Sequence, residues 1–157
     1  MPDAAATDRL DRALTGFMRY FLVHINPILH RTEYRGRSYS ELEIIVCMVL
    51  SVSGTMRPAQ ISRALSIEKG TLTSVIRRLV VLALVERTSV VGDERGYQLS
   101  LTPEGWQLVD HLAEQRRRGF GRLFATLDPS DADAAVRGIE VLTRHLKDWE
   151  DNHGPQA

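Results

Sequence analysis

The sequence predicts a mainly α-helical protein with one small β-hairpin, and three observations carry that prediction. Apolar residues recur along the chain at three- and four-residue steps, the spacing that puts them on one face of a helix. Half-buried strand alternation is plain in one short segment, where Tyr97, Leu99 and Leu101 alternate with Gln98 and Ser100. Helix-start signatures punctuate the rest: Ser40 with Glu43 three residues on, Thr102 before Pro103, and Asp128 before Pro129.

Taken in order, the first helix is expected from Asp8 to about Arg31, with Leu10, Leu14, Phe17, Phe21, His24 and Ile28 on one face. Pro27 removes the N–H that the Val23 carbonyl would use, so a kink or stop is expected near Asn26. Gly36 and Arg37 read as a loop. The Ser40/Glu43 capping box, with Tyr39 and Ile44 as a hydrophobic staple, opens a second helix that Gly54 ends. Ile44, Ile45, Met48 and Val49 are its buried side. Pro58 suits the first turn of a short third helix to about Leu65, and a tight turn leads to a fourth, Lys69 to about Ala83. Two strands follow, near Leu84–Val90 and Tyr97–Leu101, with Gly92 and Gly96 bracketing Asp93, Glu94 and Arg95 in the turn. Thr102 and Pro103 start a helix to about Leu127, and Asp128 and Pro129 start a last one, Ser130 to Trp149. These outer helices have no sheet to cover, so they must pack on each other or on a second subunit.

Composition narrows the function. With 43% hydrophobic residues in 157, a packed core is within reach. Charge is balanced overall, at 20 basic against 20 acidic residues, but unevenly placed. Arg57, Arg63, Lys69, Arg77 and Arg78 face a single acid, Glu68, between 57 and 78, a net of +4. From Asp128 onward seven acids outnumber three bases, a net of −4. A basic centre suits phosphate. One cysteine, Cys47, excludes an intrachain disulfide and a cysteine metal cluster, and its apolar setting favours an inert core thiol over a redox switch. The first residues lack a secretory pattern, and no apolar run approaches the ~20 residues of a membrane helix, so a cytoplasmic protein is expected. No metal-ligand spacing, phosphate-cradling glycine loop or nucleophile elbow appears, so an enzyme is not expected.

Two short helices in tight connection form a helix-turn-helix, and the glycine-flanked, Arg-tipped hairpin behind them acts as a wing. On the fourth helix Leu72, Val75, Ile76 and Leu79 form the buried arc, leaving Lys69, Thr71, Thr73, Ser74 and Arg77 exposed. Cations for phosphate and short polar groups for base edges are what DNA contact needs. Arg77 suits guanine or phosphate; Arg78, nearer the buried edge, suits phosphate or structure. Arg95 suits the minor groove, with Asp93 orienting it or bracing the turn.

These residues also carry a resemblance. Asp93-Glu94-Arg95, then Leu99, then Leu101-Thr102-Pro103-Glu104-Gly105 is similar to the wing motif of the multiple-antibiotic-resistance regulator (MarR) family, in register. Leu84-Val85-Glu86-Arg87 agrees, as do Thr71, Thr73, Arg78 and Leu79. The departures are Glu68 for the usual serine cap, Ser74 where arginine is frequent, and Val80-Val81-Leu82-Ala83 for a polar stretch before glycine. The resemblance implies a homodimeric regulator of double-stranded DNA, with residues 38–103 as the winged helix-turn-helix and 1–37 with 104–157 as a helical dimerisation lobe. Leu10, Leu14, Phe17, Phe21, Ile139, Leu142, Leu146 and Trp149 are the expected seam. It also implies a pocket for a small aromatic acid or phenol, for which Arg19, Tyr20, His24 and Tyr39 are candidates, and release of a repressor from a pseudo-palindromic operator. No cofactor is expected. Arg116-Arg117-Arg118 reads as a solvated face or a source of cross-subunit salt bridges rather than a second phosphate patch. The competing reading is a winged helix that docks proteins through Val80, Val81 and Leu82, residues otherwise expected to be buried.

Overall fold

The computed structural model describes residues 3–25, 32–90 and 93–153. The chain divides into two compact units, Met1–Ile44 and Ile45–Ala157.

In the first unit, α1 (Ala4–Tyr20) starts four residues earlier than expected, because Asp3 caps it. The Asp3 carboxylate accepts from the Ala5 N–H at 3.1 Å, and its carbonyl accepts from Ala6 and Thr7. None of its residues is buried. The helix then widens into a π turn over Phe21–Ile25, with the Phe17 and Phe21 rings 5.7 Å apart. The expected proline kink and the helix beyond Ile25 fall on residues outside those described. Where a loop is expected at Gly36 and Arg37, the backbone forms a hairpin instead: β1 (Thr32–Tyr34) pairs with β2 (Arg37–Tyr39). Its two-residue turn, Arg35 and Gly36, has φ of 51° and 71°. Two left-handed residues match the twist of the strands they join, and that conformation makes so short a hairpin possible. α2 (Glu41–Ser53) opens with the anticipated capping box: the Glu43 carboxylate accepts from Ser40 N–H at 2.8 Å, and Ser40 Oγ accepts from Glu43 N–H at 3.4 Å.

In the second unit, α2 buries Val46, Cys47 and Leu50, the fully buried thiol being packed as a core residue. Gly54, at φ 74°, ends it. α3 (Pro58–Ala64) is fixed at its start by Gln60, whose Oε1 accepts from Arg57 N–H at 2.8 Å. A turn with Ser66 at φ 50° leads into α4 (Lys69–Val81), which buries Leu72, Ile76 and Leu79. Glu68, at its N-cap, makes no side-chain capping bond, consistent with its departure from serine. Behind α4, β3 (Val85–Val90) and β4 (Asp93–Leu101) pair antiparallel from Val85↔Leu101 to Ser89↔Tyr97, then jump to Val90↔Asp93. The second strand therefore begins at Asp93 rather than Tyr97. Glu94, Arg95 and Gly96 form an excursion within the strand rather than the turn itself. Met56 adds a stub of a third strand, exchanging both backbone hydrogen bonds with Leu99 at 3.0 and 2.8 Å. α5 (Pro103–Phe124) stops before the expected Leu127 and buries Leu108 and Leu112. α6 (Pro129–His153) starts at Asp128, whose carboxylate accepts from the Ser130 backbone and hydroxyl, both at 2.9 Å. Those bonds hold its pKa below the ordinary aspartate value.

Candidate nucleic-acid interface

The interface is built on α4. At 100° per residue, burial of Leu72, Ile76 and Leu79 turns Lys69, Thr71, Thr73, Ser74 and Arg77 to the surface, and all five are exposed. Val75 is half-buried, as its place at the edge of the apolar arc requires. Arg78 is exposed as well, farther from the buried edge than its sequence position suggested. Thr73 Oγ1 donates to the Lys69 carbonyl at 2.7 Å, and Ser74 Oγ donates to the Gly70 carbonyl at 3.3 Å. With their protons turned back into the helix, both hydroxyls offer lone pairs outward.

The first turns of α3 and α4 and the base of the wing come together around a cleft of about 330 Å³. Arg57 and Pro58, Lys69 and Thr73, and Gly96 and Tyr97 line it, so two cations stand at its wall. The Arg87 guanidinium lies over the Tyr97 ring, 4.8 Å from its centre, which places a third cation on the adjoining strand. Arg95 precedes Gly96 in the excursion of β4. The side chains of Asp93 and Arg95 lie outside those described. Arg57 counts in the sequence as one of the basic centre's charges, but its place at the cleft wall and the strand stub at Met56 have no period to betray them.

The Leu-Thr-any-any-Gly segment is an internal clasp. Thr102 Oγ1 donates to the Ala83 carbonyl and accepts from Gly105 N–H at 3.1 Å, while Thr102 N–H donates to the Leu84 carbonyl at 3.0 Å. A Cβ at Gly105 would stand 2.1 Å from the Leu84 carbonyl oxygen, so only glycine fits. The motif thus ties the end of α4 to the start of α5.

The remaining candidates separate. Arg19 stacks on Tyr20 at 5.7 Å, and Tyr20 is 62% exposed, whereas Tyr39 is buried. The His24 side chain lies outside those described. Arg117 and Arg118 both bind Glu114 within α5, at 2.8 and 3.0 Å, and stay largely exposed. Hydrogen bonds from both hold the Glu114 carboxyl below its ordinary value. These two pairs lie within the helix. Val80 and Leu82 are half-buried, but Val81 is 78% exposed, correcting the expectation that all three are buried. Position 81 falls one helical stripe on from Ser74 and Arg77, on the outward side.

A helix-turn-helix with an exposed polar second helix, backed by an antiparallel hairpin, defines a winged helix-turn-helix protein. The model of the MarR family matches residues 42–96, from α2 to the base of the wing, about a third of the chain. The HTH-type transcriptional regulator PecS of Dickeya dadantii (strain 3937) is 38% identical over 58 residues, 37% of this chain and 35% of that protein. The chain thus matches about a third of that relative's length. Among solved structures, Streptococcus pneumoniae FabT in complex with DNA superposes with a TM-score of 0.66 at 21% identity, over 91% of this chain and 99% of that one. Bordetella bronchiseptica BpsR, whose DNA binding is regulated by 6-hydroxynicotinic acid, gives 0.60 at 21% identity, over 84% and 98%. The named relative is a transcriptional regulator rather than an enzyme, and the two structural likenesses are of fold.

Proposed function

We propose that the chain is a DNA-binding transcriptional regulator that works in the cytoplasm as a homodimer. The observation that carries this reading is the face of α4, where cations and hydroxyls are exposed together beside the base of a wing. Lys69, Thr71, Thr73, Ser74, Arg77 and Arg78 meet the major groove and its phosphates, Arg95 meets the minor groove, and Asp93 supports the wing. No described helix is long and apolar enough to cross a membrane, in keeping with a protein that acts on DNA.

Dimerisation is supported by the outer helices. Leu10, Leu14 and Phe17 on α1, and Ile139, Leu146 and Trp149 on α6, leave large apolar surface exposed in the single chain. Burial of these faces against a second copy makes residues 1–37 and 104–157 a dimerisation lobe, with 38–103 the DNA-binding lobe. Two recognition helices ~34 Å apart then fit a pseudo-palindromic operator. Repression relieved by a small aromatic acid is the regulatory part of the proposal, with Arg19, Tyr20, His24 and Tyr39 as its binding residues. The Arg19–Tyr20 stack supplies a cation beside an aromatic ring, suited to such a ligand, and BpsR shows the same fold answering to one.

A second reading, a protein-docking module, is favoured by one observation: the exposure of Val81 on the same side as Ser74 and Arg77. Titration against promoter duplexes at rising salt separates the two. The DNA reading expects affinity that falls steeply with salt, and an Arg77→Ala/Arg95→Ala double variant with weaker binding and a shallower slope. Full retention of binding by that variant, or no salt-dependent binding by the wild type, overturns it.

A further inference from the structure

Gly70 lies at the middle of the exposed side of α4. With Leu72, Ile76 and Leu79 marking the buried side, Gly70, Ser74, Arg77 and Val81 fall opposite them. Nothing inside the molecule requires glycine here. Its φ is not positive; among the described residues the positive-φ glycines are Gly36 and Gly54. A Cβ at Gly70 would meet nothing within 4 Å, the reverse of Gly105. Glycine is also a poorer helix former than alanine. Gly16, Gly121 and Gly138 are equally open, but Gly70 is set apart by its neighbours Lys69, Thr71, Thr73 and Ser74, which make up the exposed polar face. Along this stripe Gly70 has no side chain, whereas the later positions carry a hydroxyl at Ser74, a guanidinium at Arg77 and an isopropyl group at Val81. The outward side is therefore barest at the first turn of the helix, where another surface can come closest to the backbone.

We propose that Gly70 is the point of closest approach between α4 and duplex DNA. The groove surface meets the helix backbone there at a distance that a methyl group would forbid, and α4 enters the groove N-terminal end first. This rests on the DNA-binding reading. Glycine at this position acts by what it leaves out, so it sets how deeply the helix sits and which base edges Thr73 and Ser74 reach.

The test is Gly70→Ala, measured on the duplex that wild type enriches from a randomised pool. The expected result is a melting temperature equal to or above wild type, affinity lower by about tenfold or more, and an unchanged salt slope, because no cation is lost. Arg77→Ala, as the contrast, makes the slope shallower. Binding by Gly70→Ala within about twofold of wild type overturns the proposal, since that is a small fraction of the tenfold step. A lower melting temperature also overturns it, because the fold itself would then need glycine. If wild type enriches no duplex and binds none at low salt, the DNA-binding reading fails with it, which is distinct from wild type and variant binding alike.

Discussion

The winged-helix segment and the two outer helices α1 and α6 answer to different physics. Among the described residues, the buried apolar side chains run from Tyr39 to Leu112, through α2, α3, α4, the wing and the first half of α5. α1 and α6 contribute none, although both carry apolar residues at helical spacing; Phe17 is 56% exposed and Leu146 66%. The segment that meets the proposed ligand has an interior of its own. Those two helices keep exposed amphipathic faces, and that difference separates the proposed reading head from the proposed assembly seam.

The largest effect is expected from breaking the interior. Leu79→Ala removes a fully buried side chain from the last turn of α4 and should lower unfolding stability by about 2–5 kcal/mol. Leu146→Ala should change the lone chain by less than about 0.5 kcal/mol, as surface substitutions do. Its effect should instead appear as a melting temperature that depends on protein concentration. Equal, concentration-independent losses in the two variants, read by calorimetry over a dilution series, would erase the distinction.

Gly105→Ala comes next. Its new methyl group must displace the Leu84 carbonyl, a backbone atom, and the expected cost is about 1–3 kcal/mol, the range for overpacking. Denaturant melts would show it; a variant as stable as wild type would mean that the clasp is looser than its geometry. The smallest effect has the opposite sign. Ala83 ends α4 at φ 55°, a conformation that glycine adopts freely and alanine does not. Ala83→Gly should therefore raise stability by roughly 0.5–1 kcal/mol, net of the extra freedom glycine gives the unfolded chain. A melting temperature at or below that of wild type would count against this account of the helix end.

Much of this organisation was legible in the residues. The Ser40–Glu43 box, the Thr102 cap and the exposed set on α4 follow from local rules that the fold obeys. Other features had no such signal. The β1–β2 hairpin is two three-residue strands around Arg-Gly, without the Asn-Gly or Asp-Gly turn and the longer alternation that mark hairpins. The early start of β4 was hidden because glycines and charges look like a turn, and only pairing with β3 shows otherwise. Val81 misled because its neighbours are apolar, while its angle on the helix, rather than its hydrophobicity, decides exposure. Of the site, the polar face of α4 could be read off its period; the part played by Arg57 in the cleft depends on contacts between elements distant in sequence.

The clasp has a consequence for how such a chain changes over generations. Thr102 and Gly105 hold two consecutive carbonyls, those of Ala83 and Leu84, by unrelated means: one by supplying a hydroxyl and an N–H, the other by having no side chain. A drift at either position cannot be repaired at the other. The spacing between them has to be kept as a single unit if both carbonyls are to be held. The outward residues of α4 carry no such obligation to the fold, so the proposed preference for one DNA sequence over another is free to change while the frame that presents it stays fixed.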